Sequence, residues 1–505
     1  MKFYTLASGA VRPALCLSAL LGSTAVYADV TAQQVWDDWK ANMGMYGEAG
    51  VTIGSEVASG GTVTVTDLGL DSAMDGGSIK GNLASLVLTE NGDGTVSVTM
   101  SEDYPMTFTN TVDGVETIVT VALKQTGMSM TVSGTQEEMT YEIAATTYGV
   151  MLDSVMEAGV EVPAEFGITL NNLAGSYVST PGDLRNIDYV VGAESADVAI
   201  AMTDAETGTA VNFSGKINDL ATTANMTLPM DAVDPQAMFA AGMAIAGGYT
   251  FGASSYVFSA SDPETGDTSG TGTALSGSTD FSFDKAAMAY DTTAQGLNIE
   301  LTSAAMPFPL KLSAAEVGLG LLFPLAKSTE PVDWASYLNL TDLSVNDEIW
   351  AMIDAGNVLP HDPATVVLDL TGTATMQFDV LDPAQQAQMD AGAVPGELNS
   401  VVINDLTVKI AGAEVTGTGA FTFDNTDMTT IPGMPRPEGS LHLNINGVNG
   451  LLDKLVGMGL IPEDQAMMPR MMMGMFATVV GEDQLTSKIE IDAAGGIFAN
   501  GQQIQ

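Results

Sequence analysis

The sequence predicts a mainly β protein, an antiparallel meander or extended β-sheet array with a few short amphipathic helices. Apolar and polar residues alternate in many short runs along the chain. Glycine next to Asn or Asp separates several of these runs, and such pairs favour tight hairpin turns. Helical spacing of apolar residues appears in only a few segments. These three observations together favour antiparallel strands that share one apolar face.

The N-terminal segment is typical of a secretory signal peptide. Lys2 and Arg12 precede an apolar run, and the small-residue pattern Val26-Tyr27-Ala28 follows it. This order predicts cleavage after Ala28. A retained membrane anchor is the alternative, but the run is shorter than the ~20 apolar residues of a spanning helix. We therefore expect a signal peptide over residues 1–28, a β-rich region of one or several packed modules over 29–505, a periplasmic location and no transmembrane segment after cleavage.

Charge and cysteine content exclude several classes of function. The chain holds 62 acidic residues against 15 Lys and Arg, a net charge of −47. Such a surface repels phosphate backbones, so we expect no nucleic-acid partner. Cys16 is the single cysteine and lies in the predicted signal peptide. The exported chain would therefore have no disulfide, thiol nucleophile or cysteine-ligated zinc.

The first segment of the exported chain is predicted to be a helix. Thr31 is a suitable N-cap residue, and Val35, Trp36, Trp39 and Met43 follow at helical spacing. An amphipathic helix of this kind needs a surface to cover. We expect it to lie against the sheet that follows.

Strands follow through most of the chain. Asn91–Gly94 and Asp113-Gly114 supply turns with positive φ between the first runs. A meander with one apolar face needs a second sheet or a helix to cover it. The alternating runs include Val96/Val98/Met100, Val119/Val121/Leu123, Met128/Met130/Val132, Met139/Tyr141/Ile143, Val198/Ile200/Met202, Val211/Phe213, Phe281/Phe283, Leu297/Ile299/Leu301 and Leu406/Val408/Ile410.

Short helices are predicted within residues 234–247, 345–356, 448–460 and 463–477. Low-complexity stretches at 259–278 and 382–397 are predicted as loops at module edges. At the end of the chain, Leu485 to Ile491 alternates as a strand, Gly495-Gly496 permits a bend and Asn500-Gly501 a turn. We expect Leu441 to Gln505 to form one packed unit whose terminus joins the sheet.

One stretch resembles a known family. Residues 346–376, "NDEIWAMIDAGNVLPHDPATVVLDLTGTATM", are similar to the hallmark of domain-of-unknown-function family 2125, envelope proteins of alphaproteobacteria. "VWDDWK", "ENGDGTVSVT", "INGVNGLLDKLVGMGL" and the closing "NGQ" extend the resemblance. Where that family often has Asp-Pro and Arg, this chain has Asp354-Ala355 and His361. The resemblance implies an envelope location and a β-rich fold, but no activity. A looser likeness in architecture is to AsmA-type envelope proteins implicated in lipid handling.

Candidate chemical sites have simpler structural interpretations. His442 alternates with apolar residues on a strand, and His361 has no evident nucleophile beside it. Ser282 and Lys285 match Ser-x-x-Lys, but their flanks alternate as a strand, which separates them. We therefore predict no enzyme, and no catalytic, cofactor-binding or metal-binding residue.

Two local features permit metal binding but do not require it. The turns "ENGDGT" and "DPETGD" lack the six oxygen ligands of a calcium site. The Met-rich run 467–476 places Met467, Met471 and Met475 on one helical face. Such a face could bind Cu(I), although adaptable apolar packing is the simpler interpretation. We predict no cofactor for either.

The sequence supports two hypotheses about function. The first is a non-catalytic periplasmic envelope protein that holds a lipid or other apolar ligand in a β-sheet groove. The alternative is a structural β-sandwich whose surface contacts other envelope proteins. An open apolar surface would favour the first hypothesis, and a closed core the second.

Overall fold

The computed structural model describes residues 29–43, 50–74, 76–112, 114–204, 207–230 and 235–504. The predicted signal peptide, residues 1–28, lies outside the described residues, as does Asp113 of the second predicted turn. No helix in the described ranges is both long enough and apolar enough to cross a membrane.

The described residues form 27 strands and six short helices. The helices are α1 (Ala32–Met43), α2 (Pro235–Ala240), α3 (Asp347–Ile353), α4 (Pro383–Asp390), α5 (Val448–Gly457) and α6 (Glu463–Phe476). The strands are β1 (Val51–Ser59), β2 (Thr62–Met74), β3 (Gly77–Glu90), β4 (Val96–Met100), β5 (Asp103–Val112), β6 (Val115–Thr126), β7 (Ser129–Thr135), β8 (Glu138–Glu157), β9 (Val160–Glu161), β10 (Ala164–Thr180), β11 (Leu184–Thr203), β12 (Ala210–Pro229), β13 (Ala244–Phe251), β14 (Ser254–Asp262), β15 (Gly266–Ala274), β16 (Ser276–Phe283), β17 (Ala287–Ser303), β18 (Leu310–Pro324), β19 (Val332–Val345), β20 (Ala364–Met376), β21 (Gly396–Ile410), β22 (Ala413–Asp424), β23 (Arg436–Asn446), β24 (Thr478–Gly481), β25 (Gln484–Ile491), β26 (Ile497–Ala499) and β27 (Gln502–Gln503).

All the strands belong to one antiparallel sheet. We call each position across the sheet a row. Most rows consist of one long strand, and strands that follow each other in sequence lie side by side because hairpins connect them. At about 4.8 Å between rows, the sheet extends about 85 Å from β1 to β25. The predicted mainly β, antiparallel fold class is confirmed.

The sheet contains the same topology twice. Between the long strands β3 and β8, two rows are each split into a pair of short strands, β4 with β5 and β7 with β6. Between β12 and β17, β13 with β14 and β16 with β15 repeat the arrangement in the same chain order. The sheet therefore has two arms along its length. We call the arm with β4, β7, β13 and β16 the core arm, and the arm with β5, β6, β14 and β15 the opposite arm.

A crease separates the two arms. On the long strands it interrupts the regular pairing at one or two positions. In the split rows it coincides with the junctions between the short strands. Several crease residues adopt the left-handed backbone conformation, among them Asp67 (φ 52°), Asn172 (φ 50°), Asp219 (φ 53°) and Asp342 (φ 53°). Asp, Asn and Gly tolerate this conformation best. On the long strands the crease consists of Gly54, Asp67, Ala84, Thr146, Asn172, Glu194, Asp219, Gly296, Ala315 and Asp342.

The crease inverts the alternation of apolar and polar residues on each strand. On β12 the less exposed positions are odd-numbered before Asp219, as at Phe213, and even-numbered after it, as at Ala224 and Met226. A shift of one residue in a regular strand would send these side chains to the opposite face. The residue in the left-handed conformation rotates the strand, so that odd positions before it and even positions after it face the same side of the sheet. Leu68 and Leu83, beyond the crease, consequently pack against the same cluster as Val63 and Val65 before it.

The compact core of the described residues lies at the N-terminal end of the sheet. Trp36 of α1 is fully buried and packs there against strands of the core arm. The predicted first helix and its covering role are thus confirmed. The cluster consists of Val30, Ala32, Val35, Trp36, Val63, Val65, Leu86, Leu88, Val96, Val98, Met130, Val132, Met139 and Tyr141.

Two predicted loops are wrong. Residues 259–278 form the end of β14, all of β15 and the start of β16, apart from a turn at 263–265 and a bend at Leu275. Aromatic rings of neighbouring strands cover the glycines of this stretch at Gly270, Gly272 and Gly277. Residues 383–390 of the second predicted loop form α4, which the Asp382 carboxylate caps by accepting a hydrogen bond from the Ala384 N–H. The predicted helix at 234–247 also ends early, because β13 begins at Ala244.

The C-terminal segment packs as one unit, as predicted. Helix α5 contacts α6 and β22, and α6 contacts β25. β25 pairs with β23 and β26, so the end of the chain joins the sheet. A turn at Asn500 and Gly501, both with positive φ, connects β26 to β27.

Candidate functional site

The candidate site is the apolar face of the sheet, which we define as the face that carries Val63 and Leu86. Register partners in antiparallel strands point to the same face, so the face can be followed from strand to strand. On the core arm it includes Ile187, Tyr189, Met226, Ile245, Phe281, Tyr290, Leu321, Leu338, Leu368, Ile403, Leu441 and Ile489. On the opposite arm it includes Phe108, Val121, Val150, Ile168, Ile200, Phe213, Phe258, Ile299, Leu312 and Val345.

Charge is segregated between the two faces. Between the strand ends from β12 to β25, the apolar face carries no Asp, Glu, Lys or Arg. On the other face, ion pairs join Lys216 to Asp197 at 3.3 Å and Lys311 to Glu300 at 3.3 Å. Burying charge against an apolar ligand would be costly, so only the apolar face suits hydrocarbon.

The N-terminal end of the apolar face is closed by α1. Asp38 of this helix accepts hydrogen bonds from both terminal nitrogens of Arg185, at 2.7 and 3.1 Å, and Arg185 also donates to the Ser179 hydroxyl. The side chains of Asp38 and Arg185 are only 8% and 3% exposed. Tyr141 and Tyr177 stack beside them, and burial raises the pKa of both phenols. This end is therefore a closed core.

Further along, the apolar face is open to solvent. Tyr290 is 41% exposed, Leu319 51%, Leu321 38% and Leu338 44%. These residues adjoin in register, since Tyr290 lies opposite Leu321 and Leu319 opposite Leu338. Contiguous exposed apolar residues of this kind mark binding surfaces.

The total surface agrees with an open architecture. The chain exposes 28,536 Å², whereas a compact monomer of this mass exposes about 17,500 Å². Residues outside the described ranges would account for only about 6,000 Å² even if fully extended. Most of the sheet therefore lacks a second layer.

Two shallow hollows lie on the opposite arm. One, of about 370 Å³, spans β15, β17, β18 and β19, and its lining includes Ile299, Leu312 and Val345. The other, of about 230 Å³, spans β10, β11, β12 and β14, and its lining includes Ile200 and Phe213. Residues of both faces line the hollows, among them the Lys311–Glu300 ion pair in the first and Glu165 in the second.

Aromatic rings lie across glycines between the two hollows. A Cβ atom on Gly272 would lie 2.1 Å from the Tyr256 ring, and one on Gly270 would lie 2.4 Å from the Phe258 ring. Phe213 stacks on Tyr256 at 5.9 Å. Sequence reasoning missed these rings because it treated the stretch through Gly270 and Gly272 as a loop. Alternating Gly opposite alternating aromatics was the available signal.

The family-like stretch forms a compact clasp at the β19–β20 connection. Trp350 stacks on His361 with ring centroids 4.3 Å apart. The Asp354 carboxylate accepts hydrogen bonds from the backbone N–H groups of Val358 and Leu359, which hold its pKa below the usual range. His361 Nε2 lies 3.7 Å from Asp354. The helix predicted from this stretch is expected to pack both Trp350 and Ile353. Trp350 packs against His361, but Ile353 does not pack, because its side chain is 49% exposed.

The other candidate residues occupy structural positions. His442 is exposed on β23 between the less exposed Leu441 and Leu443, as predicted. Ser282 lies on β16 and Lys285 in the turn that follows, so no helix aligns them.

The carboxylates of the two acidic turns accept hydrogen bonds from residues of the same turn. Asp93 accepts hydrogen bonds from Thr95, and Asp262 from the N–H groups of Glu264 and Thr265. In the part of the chain that the structure describes, no group of three or more His, Cys, Asp or Glu side chains could hold a metal ion.

The Met-rich helix α6 differs from expectation. Ala466 is fully buried on its packed side, but five methionines are 51–65% exposed. Core packing therefore does not explain them. These are Met467, Met468, Met471, Met472 and Met475.

Residues 255–499 match a family described as "Uncharacterized protein conserved in bacteria (DUF2125)". The matched region includes the clasp and the C-terminal unit, whereas "VWDDWK" and "ENGDGTVSVT" precede it. No curated protein and no solved structure matches the chain.

Proposed function

Because the chain belongs, over residues 255–499, to the uncharacterised bacterial family DUF2125, which has no assigned activity, we propose a function from the site itself. We propose that it is a non-catalytic periplasmic envelope protein that holds a lipid or another apolar ligand on the apolar face. The open, uncharged stretch of that face from β12 onward carries this proposal. The signal-like N-terminal segment supports the location.

The architecture favours ligand binding over the alternative from sequence. The described residues form one hydrogen-bonded sheet, and the exposure of Tyr290, Leu319 and Leu338 on its apolar face favours an open surface over a closed β-sandwich. Exposing this much apolar surface to water is unfavourable, at roughly 25 cal/mol per Å². An acyl chain laid along the rows would remove that surface from water without requiring any polar partner. The ligand class that fits is thus uncharged hydrocarbon, with any headgroup at the rim.

The test begins with protein purified from its own cell envelope. Native mass spectrometry and lipid extraction should recover bound lipid. Protein that is consistently empty, and that also fails to bind a photoreactive fatty acid, would contradict the proposal.

A matched pair of variants places the ligand on one face. Leu319 is 51% exposed on the apolar face, and Val190 is 58% exposed on the other face of the same arm. Leu319→Lys should reduce crosslinking of the photoreactive fatty acid several-fold, because a charge would enter the hydrocarbon contact. Val190→Lys should leave it unchanged. Equal loss in both variants would show that binding is not specific to the apolar face.

A further inference from the structure

The first strand is an unprotected sheet edge. Among the described residues β1 pairs only with β2. It has nine residues, no Pro and no Lys or Arg, and residues 52–59 are exposed. The far end of the sheet is instead divided into β24, β26 and β27, of two to four residues each. Proteins normally disrupt long edges in this way, because a free edge pairs with other strands.

On the opposite arm, hydrogen bonding shows which β1 groups point outward. The Asp71 N–H donates to the Gly50 carbonyl at 2.7 Å, and these two residues extend the β1–β2 register by one position beyond the Val51–Leu70 pair. They form a hydrogen-bonded pair, and alternate residues of an antiparallel strand point their backbone groups to opposite sides. Val51 and Ile53 therefore point theirs away from β2.

On the core arm, the outward residues are even-numbered instead. The Glu90 N–H donates to the Gly61 carbonyl at 2.9 Å, so Gly61 faces β3 and Thr62 faces β1. Thr62 lies opposite Ser59, which makes Ser59 an inward residue. Ala58 and Glu56 consequently point outward.

The four outward residues are self-complementary. Val51, Ile53, Glu56 and Ala58 are placed symmetrically about the Gly54–Ser55 peptide. If a second copy of β1 approaches antiparallel, Val51 meets Ala58 of the copy and Ile53 meets Glu56. Each pair occurs twice and exchanges two hydrogen bonds, so all eight outward N–H and C=O groups are satisfied. The crease places the outward residues Ile53 and Glu56 three positions apart instead of two. In the antiparallel pair this wider spacing falls at the same place on both copies.

We infer that β1 is a dimerisation edge, and that two copies of this chain join through antiparallel β1–β1 pairing into one continuous sheet. The two-fold axis is perpendicular to the sheet, so the apolar faces of both copies lie on the same side. The crease continues as well, because Gly54 of each copy lies opposite Ser55 of the other. The apolar face would then extend about 170 Å.

Charge governs the conditions for pairing. Each chain has a net charge of −47, which opposes association at low ionic strength. At the edge itself, Glu56 is paired with Lys40 at 3.4 Å within its own chain. We therefore expect dimerisation to strengthen with salt.

Sedimentation velocity at about 0.3 M NaCl, where charge repulsion is screened, tests the oligomeric state. The parent should sediment as a dimer. Ile53→Pro with Ala58→Pro removes two outward N–H groups but no bond to β2, so this variant should be a folded monomer. Ile53→Thr with Ala58→Thr keeps both N–H groups and should remain dimeric. A monomeric parent, or a dimeric proline variant, would overturn the inference.

Crosslinking tests the register. Thr52 of one copy lies opposite Val57 of the other in a pair that is not hydrogen-bonded, where side chains are closest. In full chains that carry Cys16→Ser, Thr52→Cys mixed with Val57→Cys should form an intermolecular disulfide under mild oxidation. Neither variant alone should do so. Absence of the mixed disulfide, or equal crosslinking of a single variant, would refute this register. Because neither experiment involves a ligand, the result is independent of the proposed lipid binding.

Discussion

The stability of the crease should depend on which residue types occupy its left-handed positions. Of the three positions considered, Asn172 also donates a hydrogen bond to the Glu194 carboxylate on the exposed surface. Asn172, Asp219 and Asp342 have φ angles of 50–53° and exposed side chains. Replacing each with Val places a β-branched residue in the left-handed region, at a cost of about 1–2 kcal/mol per residue. Replacing each with Gly retains the conformation without that cost.

The combined effect can be estimated from the structure. The three residues lie on β10, β12 and β19, at least two rows or about 10 Å apart, so their costs should add. The triple Val variant should therefore lose about 3–6 kcal/mol. With an unfolding entropy of about 1 kcal/mol/K for a chain of this size, the melting temperature should fall by about 3–6 °C. The triple Gly variant should stay within about 1 °C of the parent.

Differential scanning calorimetry of the three proteins provides the measurement, and circular dichroism confirms that the sheet is retained. Two results would refute the reasoning. A triple Val variant that melts like the parent would mean that the strands do not need left-handed residues at the crease. A triple Gly variant that melts as low as the Val variant would show that the fall in melting temperature comes from removing the side chains of Asn172, Asp219 and Asp342.

Three further predictions concern the closed end, the aromatic rings and the clasp. Arg185→Met should lower the free energy of unfolding by about 3–5 kcal/mol, because it leaves the buried Asp38 carboxylate without its ion-pair partner. Adding Asp38→Leu should restore much of this stability. A double variant that is no more stable than Arg185→Met would contradict the ion-pair account. Gly272→Val should displace the Tyr256 ring and lower stability by about 1–3 kcal/mol, and an unchanged melting curve would show that the ring moves freely. The depressed pKa of Asp354 contributes stability above about pH 4 that is lost as the pH falls through the folded-state value. The melting temperatures of parent and Asp354→Asn should therefore converge on acidification, and a constant difference would argue against this linkage.

Much of the local structure could be predicted from the sequence. Alternation at Val96 to Met100 and at Leu297 to Leu301 identified strands, and helical spacing around Trp36 identified α1. These are short-range signals, since side-chain period and turn preference depend only on neighbouring residues. Where alternation was absent, as in the glycine-rich β15, the same reasoning failed.

The long strands show why the candidate site could not be predicted in full. Sequence reasoning recognised Val211 and Phe213 on β12 and overlooked Ala224 and Met226, because the phase of alternation inverts at Asp219. In sequence, that inversion looks like the end of a strand. Only strand pairing shows that the chain continues and that a left-handed residue returns the side chains to the same face.

The sequence by itself determined that the chain is β-rich, strongly acidic and patterned with one apolar face. The tertiary structure decided that this face stays in a single sheet that is open between α1 at one end and α5 and α6 at the other, and that β1 is left as a free edge among the described residues. Residue pattern specifies which side of a strand avoids water. Hydrogen bonds and contacts between residues far apart in the chain decide which strands become neighbours and whether a second layer covers them. A short stretch of sequence does not reveal these long-range contacts.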